Sequence, residues 1–150
     1  MANLLQEDIR KSAKKLNYVH RRLRDTIGKV NTGSPFDELV VTNKFNLCLE
    51  CKMLRERKSG KPKSFPLSGL SETQREGLLE WDTKEVNKCY VLINFRWTDE
   101  STKGSLFALT INEILEIEQK LDRKSIPLEV FQEVAVNIPR LDSGWNLEWL

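Results

Sequence analysis

Apolar positions recur along this chain in two rhythms. In "NLLQEDIRKSAKKL", Leu4, Leu5, Ile9, Ala13 and Leu16 fall near helical spacing while Lys11, Lys14 and Lys15 crowd another face, which predicts an amphipathic helix. "YVHRRLRDT" carries no such stripe and predicts a strand bearing Arg21, Arg22 and Arg24, ended by the turn residues of "GKVNTGSP". "ELVV" and "FNLCLECKML" are apolar stretches separated by the short polar "TNK", the pattern of a hairpin. "SGLSETQREGLLEW" offers a Ser cap with Leu70, Gln74, Leu78, Leu79 and Trp81 at helical spacing. "KCYVLINFRW", rich in β-branched and aromatic residues, predicts a buried central strand, and "GSLFALT" predicts another. "TINEILEIEQKLDRK" predicts a helix capped by Thr110, and Leu128 to Val134 a short helix near the end. The order α-β-β-β-α-β-β-α predicts an α/β fold: a mixed central sheet flanked by helices. No internal repeat is visible.

Length and composition bound the picture. With 150 residues the chain holds one complete core and is too short for two ordinary domains, so a single domain over 1–150 is expected. It is 39% apolar and 31% charged, the balance of a soluble globular chain, and no apolar run approaches the ~20 residues of a membrane span. The first residues lack the apolar core and cleavage site of a secretory signal, and a cytoplasmic location, in a bacterial cell, follows as an expectation. Three cysteines, Cys48, Cys51 and Cys89, cannot all pair within one chain, which agrees with a reducing compartment. Cys48 and Cys51 have C-x-x-C spacing, but a strand would put them on opposite faces, and no second ligand pair accompanies them, His20 being the sole histidine. Packed core thiols are the better reading.

Charge is unevenly spread. Residues 1 to 63 hold 15 Lys or Arg against 7 Asp or Glu, and residues 64 to 150 hold 9 against 15. An N-terminal half that meets an anion is one reading; solvated faces are the other. "RERKSGKPKS" has five basic residues, one acid, a Gly and a Pro, and predicts a basic loop over 55–64.

Within the hairpin, strand alternation puts Cys48, Glu50 and Lys52 on one face and Leu49, Cys51 and Met53 on the other. Asp37, thirteen residues before Glu50 and at the mouth of the first hairpin strand, would return beside it. Two carboxylates ~4 Å apart repel by about 4 kcal/mol at an effective dielectric of 20, so the cluster calls for a cation. A hard divalent ion such as magnesium, with manganese as a substitute, would take oxygens from Asp37, Glu50, a backbone carbonyl and waters. Lys52 would then hold or help deprotonate an attacking water, giving metal-assisted hydrolysis of a phosphodiester. The alternative is an Asp at a turn and a Glu-Lys pair on the solvent face of an edge strand. The triplet alone is short and degenerate.

The successive motifs "LQEDI", "SPFD", "ECK", "KSFPLSGLSETQ", "RKSIPLEVF" and "PRLD" resemble, in order and over most of the chain, the recombination protein U (RecU) type of Holliday-junction resolvase in the PD-(D/E)xK nuclease superfamily. Phe-Pro-Leu followed by Gln nine residues after the Phe is the most specific of these, because the chemistry does not demand it. The resemblance implies a restriction-endonuclease-like core, with Asp37 and Glu50 as metal carboxylates, the Cys51 backbone carbonyl as a further ligand, Lys52 as the catalytic lysine and Gln74 as the glutamine beside the site. Glu7 falls where such nucleases place an acid on the first helix to approach the metal; it equally fits a helix N-terminal acid favoured by the dipole. Phe65, Pro66 and Leu67 are expected to be structural.

Three departures stand out, one being that "SET" before Gln74 lacks the histidines that often precede the glutamine in relatives. Pro35 is separated from Asp37 by Phe36, and the long basic stalk that relatives insert before the catalytic Asp is replaced by "IGKVNTGSP". Junction engagement is therefore expected from Arg55, Arg57, Lys58, Lys61 and Lys63 of the basic loop, helped by Lys11, Lys14, Lys15, Arg21, Arg22 and Arg24. The implied activity is magnesium-dependent cleavage of four-way DNA by a homodimer, encoded by a chromosome or a phage and acting alongside a recombinase in recombination and repair. Another PD-(D/E)xK specificity, such as a nicking or restriction-like enzyme, and a silent DNA-binding modulator are the alternatives; intact Asp37, Glu50 and Lys52 disfavour the latter. Trp81, Trp97, Trp145 and Trp149 are expected as core or dimer-interface anchors.

Overall fold

The computed structural model describes residues 4–23, 34–55, 64–96 and 104–150. Helix α1 (Leu4–Lys15) leads into strand β1 (Val19–Arg22), then β2 (Glu38–Val41) and β3 (Asn46–Arg55) form the hairpin. β4 (Phe65–Pro66) and a 3-10 turn precede α2 (Glu72–Trp81), followed by β5 (Asn87–Arg96), β6 (Ser105–Thr110) and α3 (Ile111–Lys120). β7 (Ser125–Ile126), α4 (Leu128–Val134), β8 (Val136–Asn137), β9 (Arg140–Leu141), β10 (Gly144–Trp145) and a second 3-10 turn complete the chain.

Among the described residues, six strands form one sheet in the order β1-β2-β3-β5-β6-β8. In it β3 and β5 run parallel, joined through α2, and the other neighbouring pairs are antiparallel. This is the mixed sheet expected from the sequence. β3 and β5 lie at its centre, which overturns the alternative of a Glu-Lys pair on an edge strand.

Each face of the sheet carries its own core, and strand parity decides which residue joins which. Leu47, Leu49 and Cys51 of β3 pack with Leu5, Ile9 and Ala13 of α1 and with Trp145 and Leu147 near the C-terminus. Cys48 turns the other way, toward Leu78 of α2, Ile114 of α3 and Phe131 of α4. Cys48 and Cys51 therefore do lie on opposite faces, and all three cysteines are buried and free. Cys48 instead faces Cys89, its partner in register on β5.

Elements absent from the sequence reading are short. β4 pairs with β7, so "FPL" and "SIPLEVF" are spatial neighbours: Leu67 N–H donates to Lys124 O, and the Phe65 and Phe131 rings meet edge to face at 6.4 Å. Phe65 and Leu67 are buried, in keeping with their expected structural part. Trp145 is only 1% exposed and its backbone N–H donates to Ser12 Oγ, which makes it a core residue, the first of its two expected roles. Trp149 and Trp81 keep 59% and 40% exposure, and Trp97 lies outside the described residues.

Candidate active site

The hairpin brings Asp37 to Glu50. The Asp37 N–H donates to Leu49 O at 3.0 Å, its carbonyl accepts from Leu23 N–H at 2.8 Å, and its Oδ2 accepts from Cys51 N–H at 2.8 Å. Asp37 is thus fastened to strands on both sides. The Cys51 carbonyl points to the same side as its N–H, past the last β2–β3 register pair, Glu38 with Leu49.

Glu50 is 2% exposed, at the centre of the sheet. Its Oε1 accepts from Gln74 Nε2 at 2.8 Å and lies 3.1 Å from Lys52 Nζ. Lys52 Nζ also donates to Gln74 Oε1 at 3.2 Å. Burial, then the Asp37 charge, push the Glu50 carboxyl up to about 7, against the downward pull of Lys52. A hydrogen bond shared with Asp37 favours the protonated form further.

Gln74 reaches this cluster because it also caps α2. Its N–H donates to Ser71 Oγ at 3.2 Å, and its Oε1 accepts from Ser71 N–H at 3.0 Å, a complete capping box. One side chain therefore starts the helix and bridges Glu50 to Lys52. The Ser-x-x-Gln signature at 71–74 could have placed the helix start at Ser71 from sequence alone.

Glu7 is taken up elsewhere. Its carboxylate bonds Arg22 at 3.1 Å and Arg10 at 3.2 Å, and these guanidiniums hold its pKa below the usual range. Arg22 in turn bonds Glu38 at 3.0 Å, and His20 Nε2 approaches the other Glu38 oxygen at 2.5 Å. Glu38 is paired in register with Leu49, so this network belongs to the α1 face, away from Glu50. The expected metal role of Glu7 finds no support in these contacts. Arg22, expected on DNA, is bonded to the carboxylates of Glu7 and Glu38. Sequence reasoning missed Glu38 and His20 because their pairing depends on β1–β2 register.

Of the other expected DNA contacts, Lys11, Lys14, Lys15, Arg21 and Arg55 are exposed. Arg24, Arg57, Lys58, Lys61 and Lys63 lie outside the described residues.

Among the described residues no group of three His, Cys, Asp or Glu side chains forms a ready-made ion cage. The Asp37–Glu50 pair nonetheless fits a hard cation: its side-chain donors are oxygens, and the Asp37 charge adds to burial in raising the Glu50 carboxyl. The described helices include none long and apolar enough to cross a membrane.

No family model and no curated protein matches the chain. Among solved structures it is similar to the Hjc Holliday junction resolvase of Archaeoglobus fulgidus, an archaeal hyperthermophile, with a TM-score of 0.52 and 18% identity over 89% of this chain and 93% of that one. The chain therefore has the mixed α/β, restriction-endonuclease-like fold of that neighbour.

Proposed function

We propose that this protein is a metal-dependent endonuclease acting on four-way DNA junctions. The observation that carries the reading is the Asp37–Glu50 pair, bridged to Lys52 by Gln74 and short of positive charge at the centre of the sheet. Two resemblances point to one substrate: the sequence motifs to RecU-type resolvases, and the fold to an archaeal Hjc resolvase.

Asp37, Glu50 and the Cys51 carbonyl would hold magnesium, with manganese as a substitute. The ion would supply charge to a phosphate oxygen and lower the pKa of a bound water. Lys52 holds the attacking water and offsets charge on the phosphorane-like transition state, and Gln74 keeps its ammonium beside Glu50. A two-fold homodimer would supply the second active site that paired cuts on a two-fold junction require. Lys11, Lys14, Arg21 and Arg55 are exposed and would meet phosphates, together with Lys15, which lies 4.0 Å from Asp142, and the rest of the basic loop. Recognition then rests on backbone charge and junction shape more than on base edges. A contact with a recombinase remains part of the expected setting.

The test is cleavage of an immobile four-way junction beside its linear duplex arms, with magnesium and with chelator. Paired, metal-dependent cuts confined to the junction are expected. Equal cutting of both substrates would assign a nuclease of another specificity, and tight binding without cuts would assign a silent junction binder.

A further inference from the structure

We infer that Gly77 is a positioning residue: by letting α2 sit against the Pro35 backbone, it sets where Asp37 stands relative to Glu50. The importance of that spacing rests on the metal-nuclease reading above.

One face of α2 touches Glu50 and the two residues that precede Asp37. Gly77, Leu78 and Trp81 lie three, four and seven residues after Gln74 and so share a face with it. Gln74 bonds Glu50 and Lys52. One turn on, a Cβ built on Gly77 would lie 2.8 Å from Pro35 Cα, 2.8 Å from Pro35 O and 2.9 Å from Pro35 Cβ. Those distances are shorter than atoms tolerate, and two of the three atoms are backbone, which cannot rotate aside. A further turn on, Trp81 meets the buried Phe36 ring edge to face at 5.3 Å. Asp37 is the next residue. The helix that orients Glu50 from one end thus seats the segment entering Asp37 from the other.

Any side chain at Gly77 would push Pro35 outward by about half an ångström or more, the scale at which a catalytic constellation loses its geometry. Asp37 would move with it, loosening the bond from Cys51 N–H to Asp37 Oδ2. A glycine without this duty would behave oppositely, because Ala favours a helix interior and would tighten α2.

The experiment compares amide hydrogen exchange in the native protein and Gly77→Ala, followed by magnesium titration of both. Exchange at Cys51 should quicken about tenfold or more, with Val91 and Ile93 of β5 unchanged, and magnesium affinity should weaken about tenfold. Unchanged Cys51 exchange would overturn the inference. Should Gly77→Ala fail to fold, Trp81→Leu, at a partly exposed site, decides in the same way: faster exchange at Cys51 supports the positioning role and unchanged exchange refutes it. A native protein that neither binds magnesium nor cuts DNA would refute the nuclease reading instead, while the exchange comparison would still decide the part played by Gly77.

Discussion

Adjacent residues Asp37 and Glu38 build two carboxylate clusters on opposite faces of one sheet, and the clusters differ in charge balance. On the α1 face, buried Glu38 has Arg22 at 3.0 Å and His20 at 2.5 Å, and Arg22 also holds Glu7. Burial raises the Glu38 pKa, but the hydrogen bonds and charges of Arg22 and His20 oppose it. On the α2 face, Glu50 has Lys52 at 3.1 Å and the Asp37 charge beside it, and its carboxyl is pushed up to about 7. A buried acid with matched cations is a fastening for two strands. A buried acid with a second, half-buried acid beside it and one lysine near it among the described residues invites another charge.

The largest expected effect that separates the clusters is on cleavage. Asp37→Asn or Glu50→Gln should reduce junction cutting by about 10³-fold or more, the scale of losing preorganised charge. Binding should be retained or tightened, since phosphate repulsion falls; an equal loss of DNA binding would make these residues supports of the fold.

A pH experiment follows at slightly smaller scale. Between the ordinary carboxylate value of 4.5 and about 7, folded Glu50 holds a proton that the unfolded chain has released. Stability without metal should therefore fall as pH rises through that window, by about 3 kcal/mol, and level off above it. Urea midpoints across pH 4 to 8 would reveal the slope, and Glu50→Gln should flatten it. A slope that persists in that variant would locate the titration elsewhere.

On the opposite face, Arg22→Ala should cost stability. A fully buried pair loses about 3–5 kcal/mol when one partner goes, and Arg22, 28% exposed, should lose about 2–3 kcal/mol. Cleavage per folded molecule should hold near native. A catalytic loss without loss of stability would move Arg22 into the site. Gln74→Ala should cost about 1 kcal/mol through the lost cap, measured by thermal unfolding, and slow cleavage as Lys52 loses its guide. Smallest in effect, replacing Lys11, Lys14 and Lys15 by Ala should reduce the salt slope of junction binding by about 0.9 per lost phosphate contact.

How much of this was legible in the sequence follows from which features are local. Helices α1, α2, α3 and α4 and strands β3, β5 and β6 each carry a periodicity or a cap long enough to read, and Thr110 is the observed cap of α3. Two-residue strands such as β4 and β7 have no period at all, and they exist only through each other. Strand parity correctly placed Glu50 and Lys52 together and Cys51 opposite. The deep burial of Glu50 was not legible, because it depends on β3 lying inside the sheet and on α2 packing over that face, where Gln74 meets Glu50. Arg22 and Lys11 look alike in sequence; only the β1–β2 register, which sets Arg22 against Glu38, shows which cation is already paired.

Isothermal titration of magnesium into the native protein, Asp37→Asn, Glu50→Gln and Glu38→Gln tests the central contrast most directly. The native protein should bind the ion, binding should vanish in the first two variants, and Glu38→Gln, if folded, should keep it. Binding that survives loss of Asp37 and Glu50, or no binding by the native protein, would contradict the account.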